Sequence, residues 1–147
     1  MGQVRRGFTI IEMLTVMTII GILATLALPR YNMARERALK ASMLSDLKNL
    51  AAAEEGFFSV YGDYAGGITS GGDLPGGGGA GRVGFLTSTG NLLVVTYQNG
   101  EHGPGWSATV TNMGVSNPEY DVCGIFEGHP SYSPNAQVAQ AGTPACY

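Results

Sequence analysis

Charged side chains are scarce here. Asp, Glu, Lys and Arg make up 13% of the 147 residues, about half the usual share. Eight Lys and Arg face eleven Asp and Glu, for a net charge of −3. Two of the eight, Arg5 and Arg6, sit at the N-terminus, so the rest of the chain is more acidic still. Such a body offers no general electrostatic attraction to nucleic acid, and no nucleic-acid partner is expected. Histidine occurs only as His102 and His129, in separate turns. Neither belongs to an H-E-x-x-H or Cys-His pattern, so no metal site is expected there. Ser59, Ser88 and Ser107 lack the context of a nucleophile elbow. "GGGGAGRVG" lacks the Lys-Ser/Thr of a P-loop and the spacing of a dinucleotide fingerprint. Neither catalysis nor a cofactor is expected.

Cysteine is limited to Cys123 and Cys146. An even count in an exported chain favours a disulfide. Closing that loop of about 24 residues is worth ~3 kcal/mol in the chain-entropy model. The competing reading, two thiols in a reducing compartment, fits poorly with the membrane-directing segment described next.

What the chain does have is one long apolar run. From Phe8 to Leu28, "FTIIEMLTVMTIIGILATLAL" carries a single charge, Glu12. As a helix its 21 residues span about 31 Å, one hydrocarbon core. Three readings compete. A secretory signal would use Arg5 and Arg6 as its n-region and cleave near Thr25-Leu26-Ala27. A twin-arginine signal would use "RRGF". Both discard Glu12 and leave a costly intramembrane carboxylate unexplained. In the third reading the chain is cut before the apolar run and the helix stays.

"RRGFTIIEMLTVMTIIGILATLALPRY" resembles the N-terminus of type IV pilins and of the related type II secretion pseudopilins. A short basic leader ends in Gly7, Phe8 follows, Glu12 lies four residues beyond Phe8, and Pro29 twenty-one beyond. All four are in the family's register. The resemblance implies cleavage between Gly7 and Phe8 by a prepilin peptidase, then N-methylation of Phe8. Arg5 and Arg6 agree with the positive-inside rule. The resemblance also gives Glu12 a partner: the Phe8 amine of a neighbouring subunit. At about 4 Å and an effective dielectric near 20, that pair attracts by about 4 kcal/mol before desolvation. Glu12 would then set the register of a helical homo-oligomer. Gly21 and Pro29 bracket a stretch of lowered helix propensity. In such filaments it is expected to be helical in the membrane and partly melted in the fibre.

Five segments follow: residues 1–7 as a leader, 8–29 as the membrane and filament-core helix, 30–61 as an amphipathic helix, 62–84 as a glycine-rich loop, and 85–147 as a β-sheet head. Leu39, Met43, Leu47, Leu50, Phe57 and Tyr61 share one helical face, interrupted by Glu54. Residues 62–84 hold eleven glycines, too many for a helix or long strand. Strands are expected at 91–98, 106–112 and 120–128, with a shorter one near 82–88 and a turn at 99–105. On them Trp106, Ala108 and Val110 share a face, and Cys123 and Ile125 oppose Val122, Gly124 and Phe126. The expected fold is α+β and type IV pilin-like: one long N-terminal helix on an antiparallel sheet of three or four strands. Its C-terminal tail would be loose unless Cys146 is tied to Cys123.

The resemblance implies a pilus subunit for adhesion, motility or surface contact. Its partners would be the prepilin peptidase and the inner-membrane assembly platform and motors. It would sit first in the inner membrane as a single-pass prepilin, then in an extracellular pilus. A pseudopilin of a periplasmic piston is the first alternative. Calcium-binding pseudopilin heads give Asp63, Asp73, Glu119 and Asp121 a conceivable role, but no EF-hand pattern is present. An exported soluble domain is the second alternative.

Overall fold

A computed structural model describes residues 7–65, 85–116 and 121–147, together with the backbone pairing of 68–69, 74–75 and 82–83. Arg5, Arg6, Asp73, Glu119 and most of the glycine-rich stretch lie outside the described residues. The helix α1 runs from Ile10 to Tyr61. The chain divides into two compact units, one ending at Arg35 and one running from Glu36 to Tyr147.

In the first unit α1 passes unbroken through Gly21 and Pro29. Neither residue breaks the helix in the single chain. Its side chains are almost all exposed: Ile10, Leu14, Met17, Ile20, Leu23 and Leu26 have no protein cover. The threonine hydroxyls are satisfied within the helix. Thr15 donates to the Ile11 carbonyl at 2.9 Å, Thr18 to Thr15 at 2.8 Å and Thr25 to Ile22 at 2.7 Å. Bonds of this kind keep a polar hydroxyl satisfied without a partner from outside the helix.

In the second unit, α1 buries Met43, Leu47, Leu50 and Phe57 in the main core. Each fully buried side chain contributes about 1.5–3 kcal/mol. The stripe differs from expectation at its ends. Leu39 is half-buried, and Tyr61 is exposed, its ring lying 4.5 Å from that of Phe57. Two acids share the buried face, Asp46 and Glu54.

The remaining elements are β1 (Ile68–Thr69), β2 (Leu74–Pro75), β3 (Arg82–Val83), β4 (Asn91–Gly100), β5 (Gly103–Asn112), β6 (Val122–Glu127), a short 3-10 turn η1 (Pro130–Tyr132) and β7 (Ala145–Cys146). Five strands form one antiparallel sheet in the order β1-β4-β5-β6-β7, and β2 pairs with β3. The sheet exceeds the three or four strands expected because two-residue edge strands are recruited from the glycine-rich stretch and from the tail. The expected strand near 82–88 reduces to β3, which pairs with β2, while Phe85 enters the core. The expected turn at 99–105 is tighter: Gly100 pairs with Gly103, leaving only Glu101 and His102 between the strands. Gly103 takes φ +85° there, a backbone angle that favours glycine.

The alternation holds. Trp106, Ala108, Val110, Cys123 and Ile125 face the main core with Leu93 and Val95. Phe126, on the opposite face, packs with Tyr132 and Val138 of the tail. The tail is therefore tied on both counts. Cys123 and Cys146 are disulfide-bonded and also face each other across β6 and β7.

Candidate processing and assembly site

The candidate site begins where the helix begins. Gly7, Phe8 and Thr9 precede α1 and are exposed. The Gly7–Phe8 bond thus lies in non-helical backbone, the form in which a peptide bond is open to proteolysis. Thr9 is the N-cap, which puts Glu12 at the third helical position. The Glu12 Oε2 accepts from the Thr9 N–H and from the Thr9 hydroxyl, each at 2.8 Å. In return the Glu12 N–H donates to Thr9 Oγ1 at 3.3 Å. This is a capping box, in which Thr and Glu reciprocally satisfy donors at the helix start.

The box gives Glu12 a role within its own chain that sequence reasoning missed. The signal was present: Thr9-Ile10-Ile11-Glu12 is the S/T-x-x-E pattern before an apolar run. The box holds the carboxylate three residues from Thr9, at the end of the chain that cleavage would expose. Phe8 precedes the cap and is 79% exposed.

Beyond Glu12 lies a continuous apolar surface. Its most hydrophobic 18-residue window has a mean hydropathy of 2.2 and none of it is buried. Among the described residues α1 is the helix long and apolar enough to cross a membrane. A helix apolar all round requires lipid or other helices around it.

In the second unit, Asp46 and Glu54 were missed as buried groups. Asp46 accepts from the Ser88 N–H and hydroxyl at 2.8 Å each, and from the Asn91 amide at 2.7 Å. Asn112 extends the network by donating to Asn91 Oδ1 at 2.7 Å. Glu54 Oε2 accepts from the Ala65 N–H at 2.8 Å, while Oε1 is buried without a partner. Burial pushes the Glu54 carboxyl up to about 7; the Ala65 bond opposes this, and the Glu55 charge adds to it. The sequence showed Glu54 interrupting an apolar stripe but not what capped it.

His102 and His129 occupy separate turns as expected, yet the fold brings them together. Their rings stack with centroids 3.7 Å apart and planes 14° from parallel. A stacked pair points its in-plane lone pairs side by side rather than at one ion. Among the described residues no three His, Cys, Asp or Glu side chains converge as metal ligands. Asp63, one of the loop acids, instead accepts from the Tyr97 hydroxyl at 2.7 Å.

Comparison with known proteins supports the N-terminal reading. Residues 3–28 match the prokaryotic N-terminal methylation motif. The type IV major pilin protein PilA of Myxococcus xanthus is 41% identical over 63 residues, which cover 41% of this chain and 29% of that protein. The fimbrial protein EcpC of Eikenella corrodens is 44% identical over 59 residues, covering 40% and 36%. A fimbrial protein of Neisseria meningitidis is 36% identical over 74 residues, covering 49% and 42%. The chain thus spans less than half the length of these curated relatives. No solved structure matches significantly. These matches and the fold define the class: a chain with a prepilin-type N-terminal segment. Its fold is α+β, a long N-terminal helix on a small antiparallel sheet with a C-terminal disulfide, and its N-terminal part is similar to those of type IV pilin and fimbrial proteins.

Proposed function

We propose that this chain is a structural subunit of a type IV pilus, polymerising through its N-terminal helix into a surface filament for adhesion, motility or surface contact. The observation that carries this reading is the uncovered apolar stretch of α1, whose capped carboxylate, Glu12, lies three residues after Thr9, the last of the non-helical residues 7–9. The relatives named as major pilin and fimbrial proteins support it.

A prepilin peptidase cuts at Gly7–Phe8 and methylates the Phe8 amine. The prepilin waits in the inner membrane, where lipid covers residues 8–29. An assembly platform and its motors then move it into the fibre, where neighbouring helices replace lipid. Glu12 there meets the Phe8 amine of the next subunit and fixes the axial step. Residues 21–29, continuous helix in the single chain, partly melt on packing because Gly21 and Pro29 weaken the backbone ladder. The disulfide-closed tail faces outward. The role is structural, without catalysis. The disulfide supports this reading over the periplasmic piston.

Mass spectrometry of sheared surface fibres and of membranes tests the proposal. The expected species begins at N-methyl-Phe8, sits in the fibre fraction and is two hydrogens lighter than the reduced chain. A mature chain beginning at Leu28 would discard Glu12 and leave an exported soluble domain.

A further inference from the structure

We propose that the stacked His102–His129 pair is an acid-sensitive latch that holds the disulfide-closed C-terminal loop against the β4–β5 hairpin and lets it go when both rings are protonated. The inference goes beyond the pilus reading and does not depend on it.

Three contacts bring the loop and the hairpin together. His102, in the two-residue turn between β4 and β5, stacks on His129 at 3.7 Å. Tyr132, at the end of η1, donates its hydroxyl to the Gly103 carbonyl at 2.8 Å. The Tyr132 ring also lies where a Cβ on Gly105 would be, 2.6 Å away. His129 in turn holds η1 in place. Its Nδ1 accepts from the Ser131 N–H at 3.3 Å and lies 2.9 Å from the Ser131 hydroxyl. An Nδ1 that accepts an N–H carries no proton, so this bond requires a ring unprotonated at Nδ1.

Protonation works against both halves of this arrangement. A proton on His129 Nδ1 turns the acceptor into a donor, and the Ser131 N–H loses its partner. A proton on each ring sets two cations face to face. Histidine is the side chain whose ordinary charge change falls between pH 5 and 8, and both rings are exposed to solvent. Glu101 flanks His102 in the turn. Glu127, at the end of β6, points its Oε2 at Gly142, 3.3 Å from a Cβ built there. Burial and the Glu55 charge push the Glu127 carboxyl above its ordinary value. Tyr132 meets His129 edge-on, with centroids 6.2 Å apart. Among the described residues neither ring is hydrogen-bonded to a carboxylate.

The loop from Gly124 to Ala145 is closed at its ends by the Cys123–Cys146 disulfide. Opening the latch frees the edge of that loop while its ends stay tied. The consequence is a local change of surface, with the sheet intact.

Amide hydrogen exchange on the full chain in detergent micelles, at pH 7.5 and pH 5.0 and corrected for intrinsic rates, reads the latch. Protection of Ser131, Tyr132 and Ser133 is expected to fall about tenfold or more at the lower pH, with β5 unchanged. The His129→Asn variant keeps a side-chain acceptor for the cap but does not titrate, and its protection should change less than about twofold. Should the variant not fold, the wild-type chain still decides. The ring-current shifts of the two stacked imidazoles should collapse between those pH values, while signals of residues packed on Trp106 stay. Wild-type protection and imidazole shifts unchanged between the two pH values overturn the proposal. So does an equal loss in His129→Asn, or a loss shared by β5.

Discussion

The Asp46 carboxylate on α1 accepts a 2.7 Å hydrogen bond from Asn91, the first residue of β4 and forty-five positions along the chain. Asn91 is 4% exposed and Asp46 3%, so both are held out of water. Two more bonds come to Asp46 from Ser88. The carboxylate therefore joins the helix to the entry of the sheet.

Asp46→Ala leaves the Ser88 N–H without its acceptor and the Asn91 amide with the Ser42 hydroxyl alone, at 3.2 Å. The expected loss is about 3 kcal/mol, since an orphaned buried donor costs more than the bond itself contributes. Asp46→Asn, which keeps one acceptor oxygen, should lose about half as much. Urea denaturation of the detergent-solubilised chain checks both, and equal losses would contradict this account.

Glu54 makes stability fall as pH rises. Its carboxyl stands near 7 in the folded chain against an ordinary 4.5, so the folded state holds the proton more tightly than the unfolded state does. That contribution is complete below about pH 4.5, declines as pH rises toward 7, and is gone above it. Glu54→Gln should flatten the profile across this window and leave the variant more stable than the wild type at pH 8 by about 2 kcal/mol. Thermal unfolding at intervals from pH 4 to pH 8 measures it. A wild-type profile that is flat or rises there would refute the assignment.

Glycine matters at Gly105 and not at Gly56. A Cβ on Gly105 would lie 2.6 Å from the Glu127 carbonyl oxygen and from the Tyr132 ring. The carbonyl belongs to the partner strand and cannot swing away. Gly105→Ala should cost about 2–3 kcal/mol. Gly56, inside α1, has nothing within 4 Å of a built Cβ. Gly56→Ala should stabilise by up to about 1 kcal/mol through helix propensity. Paired melting curves separate the two.

Thr9 should matter to the helix start. Thr9→Ala removes the cap and the hydroxyl that Glu12 accepts from, at a cost of about 1 kcal/mol to the first turn. The Glu12 amide, which donates to the Thr9 hydroxyl, should then exchange about fivefold faster in micelles. Unchanged exchange would mean that the capping box contributes nothing there.

Much of this protein is written locally. Gly7, Phe8, Glu12 and Pro29 carry the resemblance to type IV pilins, and the apolar run is legible by its length. Period-2 alternation placed Trp106, Ala108 and Val110 on one face and Cys123 and Ile125 opposite Phe126. With only two cysteines, one intramolecular pairing was possible. The four residues of the capping box were equally local and were overlooked.

The rest depended on contacts between distant segments. β1 and β7, at two residues each, are too short to leave a pattern, and exist because β4 and β6 offer unpaired edges to the glycine-rich stretch and to the tail. Asp46 and Glu54 read as polar interruptions of a stripe until Ser88, Asn91 and Ala65 supply their donors. Tyr61 fits the stripe by period, yet the buried face of α1 ends at Phe57. His102 and His129 stand in turns that only the stacking of the tail on the hairpin brings together. The sequence by itself determined the long apolar run and the capping box at its start, since both rest on neighbours along the backbone. The tertiary structure decided which charges are buried and which turns touch, since those depend on partners dozens of residues away.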